Sequence, residues 1–483
     1  MSGERNGPHR RDARRPGGAR RGGAETRARQ DRVSAARTVA YDVLTAVRES
    51  DAYANLLLPA RIERARLSPA DAGLATELAY GTLRLLGRYD AIIARASGRP
   101  VEAIDPPVLD VLRLGAHQLL GTRVPTHAAV NEQVALARRV APAAAGFVNA
   151  VLRAVSRREL ADWLDEIAAG AGSPDEALAL VHAHPVWIVR ALRSALEREG
   201  RGDELAALLE ADNASPRVNL VALPSLAPDP GTLGDADAYS PTGFTAEDPI
   251  GLVGRMDGRV RVQDEGSQLA ALALSRVLPV RPGERWLDLC SGPGGKTALL
   301  AAEALEGGAQ LVANEAVPAR ADLVRRAVAP VPMEVPVHVG DGRDLDPAAM
   351  DAEGGFDRIL LDAPCTGLGA LRRRPESRWR KSPSDVAELA RLQGELADAA
   401  FAALAPGGVL AYVTCSPHTA ETHAVLGRAL ERWGDAAEVL DTASVVQRVA
   451  RHPLDLAGDD RTVQLWPHRH GTDAMFIALV RKG

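Results

Sequence analysis

The sequence predicts an all-α unit in its first third and an α/β domain with a mostly parallel sheet in its last half, joined by a small α/β segment. Three observations support this. Apolar residues recur at helical spacing from residue 33 to about 160, without the alternation that is typical of strands. From about residue 260, short apolar runs alternate with helical patterns, as in a parallel sheet covered by helices. Several of these runs end in an acid or a thiol beside a glycine or proline turn.

The composition is that of a globular protein with more than one core. The chain has 483 residues, of which 46% are hydrophobic and 25% charged. Its three cysteines include no Cys-x-x-Cys pair, so we expect no disulfide framework, no zinc site and a reducing compartment. No apolar run of 18 residues and no charged-then-apolar leader is present, so we expect a cytoplasmic protein without a membrane partner.

Charge is distributed unevenly along the chain. Residues 1–32 contain ten arginines and four acids, a net charge of +6, which leaves −11 for the rest of the chain. A Gly/Arg/Pro segment with almost no apolar residues cannot bury a core, so we expect a disordered tail. Such a tail suits a salt-sensitive contact with a polyanion. The alternative is a solvated tail that reflects compositional bias alone.

Helix-start signals divide the region 33–160 into several helices. Ser68-Pro69 and Asp105-Pro106 each place a capping side chain before a proline in the first turn. Residues 161–259 are harder to interpret. We expect helices over 161–169, 174–184 and 186–198, a strand over 217–222, and a loop over the Pro/Gly/Asp-rich residues 227–241.

In the domain predicted for 260–483, the most informative turn follows the strand at 285–288. A strand, a glycine-rich turn and a helix together place backbone N–H groups and a positive helix end against a nucleotide-like ligand. The spacing fits neither Gly-x-x-x-x-Gly-Lys-[Ser/Thr] nor Gly-x-Gly-x-x-Gly. The residues that we expect to bind a cofactor here are Cys290, Ser291, Gly292, Pro293, Gly294, Gly295 and Lys296.

Acidic residues follow the next strands. Glu315 comes about twenty residues after the turn, where a carboxylate would accept from a ribose hydroxyl pair. Asp341, between two glycines, suits an adenine amine, and Asp362 ends a third strand. Since no second phosphate-binding turn is visible, this arrangement fits S-adenosylmethionine better than a dinucleotide.

Two thiols occur at the ends of two predicted strands. Cys365 follows the strand at 356–362, and Cys415 follows the strand at 408–414, each with a proline close by. Parallel strands end at the same edge of a sheet, so both thiols are candidates for chemistry at that edge. The alternative is that both are buried small hydrophobic residues. We expect residues 474–480 to form a late antiparallel strand that closes the sheet.

These motifs resemble those of the RsmB/NOP family of RNA cytosine-C5 methyltransferases. The resemblance rests on Asp288-Leu-Cys290-Ser-Gly-Pro-Gly-Gly-Lys296-Thr, Asp362-Ala-Pro-Cys365-Thr-Gly367, Arg373-Arg-Pro-Glu376, Leu392-Gln393 and Thr414-Cys415-Ser. In the first third, Thr126-His-Ala-Ala-Val-Asn131-Glu and Phe147-Val-Asn149-Ala-Val-Leu152-Arg153 resemble the NusB-like RNA-binding domain that precedes the catalytic domain in bacterial RsmB-type enzymes. Two departures are Ser291-Gly292, where alanines are usual, and Glu315, where aspartate is commoner.

The resemblance implies an all-α NusB-like domain over 33–160, a small α/β subdomain over 161–259 and a Rossmann-like S-adenosylmethionine-dependent methyltransferase domain over 260–483. It implies methylation of C5 of a cytosine in small-subunit (16S) ribosomal RNA. In that reaction Cys415 adds to C6, Cys365 assists breakdown of the adduct, and Asp362 holds the base.

A basic segment lies between the two thiol motifs. It contains one indole, Trp379, and we expect its cations to contact RNA phosphates: Arg372, Arg373, Arg374, Arg378 and Lys381. The alternative is a solvated basic loop.

We expect ribosomal RNA, free or in an early precursor, as the partner, no metal, and a monomer. Two other functions remain open: the same chemistry on transfer RNA or large-subunit RNA, and a non-catalytic RNA-binding assembly factor. An N-methyltransferase is disfavoured because Asp362-Ala-Pro-Cys365 lacks an aromatic stacking residue.

Overall fold

The computed structural model describes residues 33–50, 52–457 and 461–483, and the chain divides into two compact units. The first contains Leu56–Thr82, Tyr89–Trp163 and the described residues before 53. The second contains Tyr53–Asn55, Leu83–Arg88 and Leu164–Gly483. The small α/β segment and the large α/β domain therefore lie in one unit. The arginine-rich residues 1–32 lie outside the described residues.

The first unit is built from helices whose apolar faces are buried. Val39, Leu44 and Val47 lie inside, as helical spacing predicts. Asp71 N–H donates to the Ser68 hydroxyl over 3.2 Å, so the helix start predicted there is capped. The helices along residues 35–169 are α1 (Ala35–Glu49), α2 (Ala54–Arg64), α3 (Pro69–Arg84), α4 (Leu86–Ser97), α5 (Pro106–Leu120), α6 (Thr126–Val140), α7 (Ala145–Val155) and α8 (Leu160–Ala169).

The next segment combines helices with a small antiparallel sheet. Helices α9 (Pro174–His182), α10 (Val186–Arg198) and α11 (Leu205–Ala211) precede strands β1 (Leu220–Ala222), β2 (Asp235–Ala236), β3 (Gly243–Thr245) and β4 (Val260–Val262), with α12 (Pro230–Leu233) and α13 (Pro249–Arg255) between them. The strand order is β2-β3-β1-β4. Residues 227–241, predicted as a loop, thus contain a short helix and an edge strand.

Strand β4 corrects one predicted boundary. We expected Val260 to open the large domain, but β4 pairs with β1 in the small sheet, with Val221 opposite Arg261. Val260 is buried in a separate small core with Leu220 and Phe244. The large domain therefore begins after this strand.

The large sheet has eight strands and helices on both faces. Its strands are β5 (Arg285–Asp288), β6 (Gln310–Glu315), β7 (Val337–Val339), β8 (Phe356–Asp362), β9 (Leu404–Thr414), β10 (Ala437–Val439), β11 (Val463–Gln464) and β12 (Phe476–Lys482). The order is β10-β12-β9-β8-β5-β6-β7, with β11 paired to β12. Strands β5 to β9 are mutually parallel.

Two hydrophobic cores cover the sheet, one on each face. The helices are α14 (Glu265–Ser275), α15 (Gly295–Gly307), α16 (Pro318–Val328), α17 (Ser377–Arg380), α18 (Pro383–Ala402), α19 (His423–Trp433), α20 (Thr442–Val449) and α21 (Pro467–His470). Helices α14, α15 and α20 contribute to one core, and α18 and α19 to the other. Ile359, Leu360 and Leu361 are consecutive and fully buried, because β8 has a packed layer on each side.

Strand β12 is antiparallel to β9, with Phe476 opposite Thr414, as the sequence predicts. It does not close the sheet, because β10 pairs with its other edge. The three residues of β10 carry no pattern strong enough to reveal a strand. At β5 the chain order reverses, with β6 on one side and β8 on the other, which is where open α/β sheets bind ligands.

No helix of the described residues is long and apolar enough to cross a membrane.

Candidate active site

The glycine-rich turn joins β5 to α15 and packs against the end of β6. Gly294 has φ +101, and a Cβ there would lie 2.5 Å from the Ala327 side chain, so only glycine fits. A Cβ on Gly292 would collide with the Glu315 carboxylate. The Ser291 hydroxyl donates to Asn314 O over 2.9 Å. The predicted cofactor turn is thus braced by β6, with Pro293 exposed and Gly292, Gly295 and Lys296 half-buried.

Glu315 lies at the end of β6 and is only 3% exposed. One carboxylate oxygen accepts from Gly292 N over 2.9 Å, and the other accepts from Val317 N over 3.0 Å. Arg320 lies 3.5 Å from the second oxygen. A carboxylate has about four acceptor positions, so Glu315 retains capacity for a ribose hydroxyl pair, which stays a prediction.

Asp341 follows β7 and is exposed. Hydrogen bonds from the Arg343 guanidinium and backbone N–H lower the pKa of Asp341 to about 2. Its carboxylate already has a strong partner, with Arg343 Nη2 at 2.6 Å. The contact predicted with an adenine amine therefore requires Arg343 to move or to share this acid.

Two buried polar groups beside the turn fit a polar ligand. The Thr297 hydroxyl donates to Asp288 over 2.7 Å, the other Asp288 oxygen has no partner, and burial raises the pKa of Asp288 to about 7. Gln263 is 7% exposed, and neither its amide oxygen nor its nitrogen has a partner. A Cβ on Gly295 would lie 3.8 Å from Gln263 Cδ. Because buried amides in native proteins are nearly always paired, this amide suits the cofactor. Gln263 belongs to no motif, so no sequence pattern indicated it as a site residue.

Lys296 connects the cofactor turn to the end of β8. Its Nζ lies 2.8 Å from Asp362 Oδ2, and its side chain is 11% exposed. Burial alone would lower the pKa of Lys296, but the Asp362 carboxylate outweighs burial and raises that pKa. Lys296 therefore stays charged and holds the carboxylate beside the thiols.

The structure brings Cys365 and Cys415 together. Asp362 on β8 is opposite Val413 on β9, so the loops after these parallel strands are neighbours. The two Sγ atoms are 3.4 Å apart, and both residues are partly exposed. The hydrogen bond to Cys415, followed by burial, raises the pKa of Cys365 well above its usual range. Cys365 is therefore held as a neutral thiol, and its S–H is placed to donate to Cys415 Sγ across this contact.

The third thiol, Cys290, lies in the cofactor turn. Burial raises its pKa, with nearby Asp288 acting in the same direction. A thiol held in its neutral form is a poor nucleophile. Burial therefore argues against Cys290 as a nucleophile, and Cys415 with its neighbour Cys365 stays the predicted reactive pair.

The structure corrects three of the five predicted RNA contacts. Arg378 is 0% exposed, and its guanidinium donates to Arg84 O, Ala183 O, Asp212 O and Asn213 Oδ1 over 2.8–3.2 Å. A buried charge needs such partners, so Arg378 is a structural residue.

Arg372 and Arg373 are also committed to internal partners. Arg372, 7% exposed, donates to Gly471 O over 2.9 Å. Arg373 bridges Asp264 at 2.7 Å and Asp473 at 3.1 Å. These contacts tie the basic segment to the start of α14 and to the residues before β12.

Arg374, which is exposed, and Lys381, which is half-buried, stay predicted RNA contacts. Trp379, the indole of this segment, is half-buried and packs so closely on Gly87 that a Cβ there would collide with the ring, so part of the indole is covered by the protein itself. A second aromatic ring of the same unit, Tyr53, is 45% exposed. Arg374 and Arg380 lie over this ring, 5.8 and 5.3 Å from its centre. Tyr53 lies far away in sequence, so no local pattern indicated it.

Within residues 33–50, 52–457 and 461–483, no group of three or more His, Cys, Asp or Glu side chains has an arrangement suited to a metal ion.

Comparison with known proteins identifies both parts of the chain. Residues 275–481 match the family described as 16S rRNA methyltransferase RsmB/F, and residues 34–157 match the NusB family. A candidate methyltransferase of Mycobacterium tuberculosis strain H37Rv, Rv1407, is 48% identical over 458 residues, covering 92% of this chain and 96% of that protein. The ribosomal RNA small subunit methyltransferase B of Pseudomonas putida is 36% identical over 422 residues, covering 84% and 91%.

The solved structure of the protein PH0851 has the same fold. It superposes with a TM-score of 0.72 over 92% of this chain and 97% of its own, at 22% sequence identity.

Proposed function

Because the chain belongs to the RsmB/F family of ribosomal RNA methyltransferases, which use S-adenosylmethionine, we propose that it methylates C5 of a cytosine in small-subunit ribosomal RNA through a covalent cysteine adduct. The observation that carries this proposal is the pair of thiols, Cys365 and Cys415, 3.4 Å apart at the ends of neighbouring parallel strands.

The thiol pair would make C5 of the cytosine nucleophilic enough to accept a methyl group. C5 of cytosine is a poor nucleophile, and addition of the Cys415 thiolate to C6 forms a C–S bond and moves the C5=C6 electron pair onto C5. S-adenosylmethionine supplies the electrophilic methyl group that C5 then takes. Loss of the C5 proton to water returns the electron pair to C5=C6 and expels the Cys415 sulfur as a thiolate. The Cys365 S–H stabilises that leaving thiolate by donating to it, which fits a raised pKa.

Asp362 and Lys296 would hold the target base. We expect the Asp362 carboxylate to accept from the N3/N4 edge of the cytosine once C6 has been attacked. Lys296 Nζ, 2.8 Å from Asp362 Oδ2, would orient that carboxylate toward the base. The cofactor would lie against the glycine turn, with Glu315 and Gln263 as polar contacts. A base that reaches this sheet edge must be unpaired or flipped out of its helix.

The NusB-like residues 34–157 would help to choose the RNA. With ribosomal RNA as substrate, we expect the protein to act in the cytoplasm. Arg374, Arg380 and Tyr53 form an exposed cation–aromatic surface suited to the strand around the target base.

Adduct trapping tests the proposal. Cys365→Ala, Cys415→Ala and, as a matched control, Cys290→Ala are incubated with RNA and S-adenosylmethionine and run on denaturing gels. We expect a slowly released protein–RNA adduct with Cys365→Ala only, and sequencing of that RNA identifies the base. Full methylation by Cys415→Ala, with no adduct from any variant, would refute the C5 mechanism. An adduct on transfer RNA or large-subunit RNA would keep the chemistry and change the substrate.

A further inference from the structure

A buried carboxylate lies behind the two thiols and takes no part in the reaction proposed above. Glu421 is 0% exposed and lies in the loop between Cys415 and α19. It belongs to none of the motifs that mark the site in the sequence. Burying an ionised carboxylate is costly unless its oxygens are fully hydrogen-bonded, so its partners indicate its role.

Those partners are the residues that immediately follow each thiol. Glu421 Oε1 accepts from Thr366 N over 2.8 Å, and Glu421 Oε2 accepts from the Thr366 hydroxyl. The Ser416 hydroxyl donates to the same Oε2 over 2.6 Å. The two hydroxyl oxygens lie 3.2 Å apart. One carboxylate therefore joins the loop of Cys365 to the loop of Cys415.

Two further residues fix this connection to the fold. Gln393 on α18 donates from Nε2 to Pro364 O over 2.8 Å and to Glu421 Oε1 over 3.2 Å. The Tyr412 hydroxyl donates to Glu421 O over 2.6 Å. The loops that carry Cys365 and Cys415 are thus anchored by Tyr412 on β9, by Gln393 on α18 and by Glu421 between them. With four donors to its two oxygens, the Glu421 side chain makes more hydrogen bonds to these loops and to α18 than any other group described above.

We propose that Glu421 is a positioning residue that sets the distance between the Cys365 and Cys415 thiols. The catalytic consequence of this inference rests on the proposed function. The distance between the two thiols does not, because it can be probed in the protein without RNA. Reactions that require aligned groups lose up to about a hundredfold in rate for a displacement near 1 Å, so loosening one loop should slow attack at C6.

The test compares Glu421→Gln with Ser416→Ala and with the control Glu431→Gln on the exposed face of α19. The amide in Glu421→Gln would keep the side-chain shape and one acceptor but lose the charge and the second acceptor. Ser416→Ala removes one of the four donors to the Glu421 carboxylate and leaves the other three. We therefore expect this variant to fold even if Glu421→Gln does not. Circular dichroism and the Kd for S-adenosylmethionine, both expected to match the parent protein, monitor the fold.

The first readout needs no RNA. Diamide takes two electrons and two protons from a thiol pair, forming an S–S bond and a hydrazine, and peptide mass spectrometry reports the Cys365–Cys415 link. We expect this link to form about tenfold more slowly in Glu421→Gln, less slowly in Ser416→Ala, and at the parental rate in Glu431→Gln. Equal rates in all four proteins would overturn the proposal.

The second readout is the rate of adduct formation in a Cys365→Ala background. We expect about a tenfold decrease with Glu421→Gln and no change with Glu431→Gln. A parental adduct rate in Glu421→Gln would also overturn the positioning role. If the Cys365→Ala protein itself forms no adduct, the proposed function fails, and the diamide rates still decide the role of Glu421.

Discussion

Replacing the buried guanidinium of Arg378 should lower the free energy of unfolding of the unit that contains the site. Arg378→Met keeps much of the volume but removes the donor for Arg84 O, Ala183 O and Asn213 Oδ1 at 2.8–3.1 Å and for Asp212 O at 3.2 Å. Each buried acceptor that loses its partner costs about 1–3 kcal/mol before relaxation.

The Asp212 carboxylate would also lose the positive charge of Arg378, which favours its ionised form. Burial has already raised the pKa of Asp212 to about 7, so protonation limits that cost. Breaking a buried charged network typically costs about 3–5 kcal/mol. We expect Arg378→Met to decrease the free energy of unfolding by an amount in this range.

Urea denaturation followed by tryptophan fluorescence measures this decrease, because Trp379 is adjacent to Arg378 and packs on Gly87 in the same unit. Since the chain has two compact units, the two transitions must be fitted separately. The matched control is Arg374→Met on the exposed side of the same segment, where we expect a change below about 0.5 kcal/mol. A loss below about 1 kcal/mol with Arg378→Met, together with weaker RNA binding, would refute the structural role and restore the RNA contact.

Three further predictions concern pH, stacking and the tail. Burial raises the pKa of Asp212 to about 7 from 3.8, so the folded protein holds a proton that the unfolded chain has released, and stability should fall as pH rises from about 4 to about 7. Asp212→Asn should flatten that decline in thermal melts, and an unchanged slope would contradict it. Tyr53→Ala should weaken single-stranded RNA binding by about 1 kcal/mol while Tyr53→Phe preserves it, as measured by fluorescence anisotropy; equal affinities in all three proteins would reject the stacking surface. Deleting residues 1–32 should weaken RNA binding mainly at low salt, because it removes a net charge of +6; an unchanged salt slope would exclude this contact.

The positions of the glycine turn and of the two thiols were predictable because their signals are local. An apolar run, a glycine turn and a helix lie within about twenty residues around Gly292 and Gly294, and steric limits at those glycines leave few alternatives. The ends of β8 and β9 were visible as apolar runs stopped by Asp362 and Thr414. Parallel strands end on one edge, so the meeting of Cys365 and Cys415 followed from the strand assignment.

The basic segment could not be interpreted in this way. Six cations in eleven residues suggest a solvated surface by composition, yet Arg378 is fully buried and Arg373 bridges two acids. The partners that decide this lie far away in sequence, as with Asp212 and Asp473. Charge count along a chain does not report where the opposite charges will be.

The sequence by itself determined the strands and helices that carry the site, the glycine turn and the two thiols, because each depends on residues close together in the chain. Only the tertiary structure decided which arginines are structural, that Tyr53 joins the basic segment, and that Glu421 connects both thiol loops. Burial and long-range hydrogen bonding produce those outcomes. Both depend on which segments the packed sheet and helices bring together, and no local pattern encodes that.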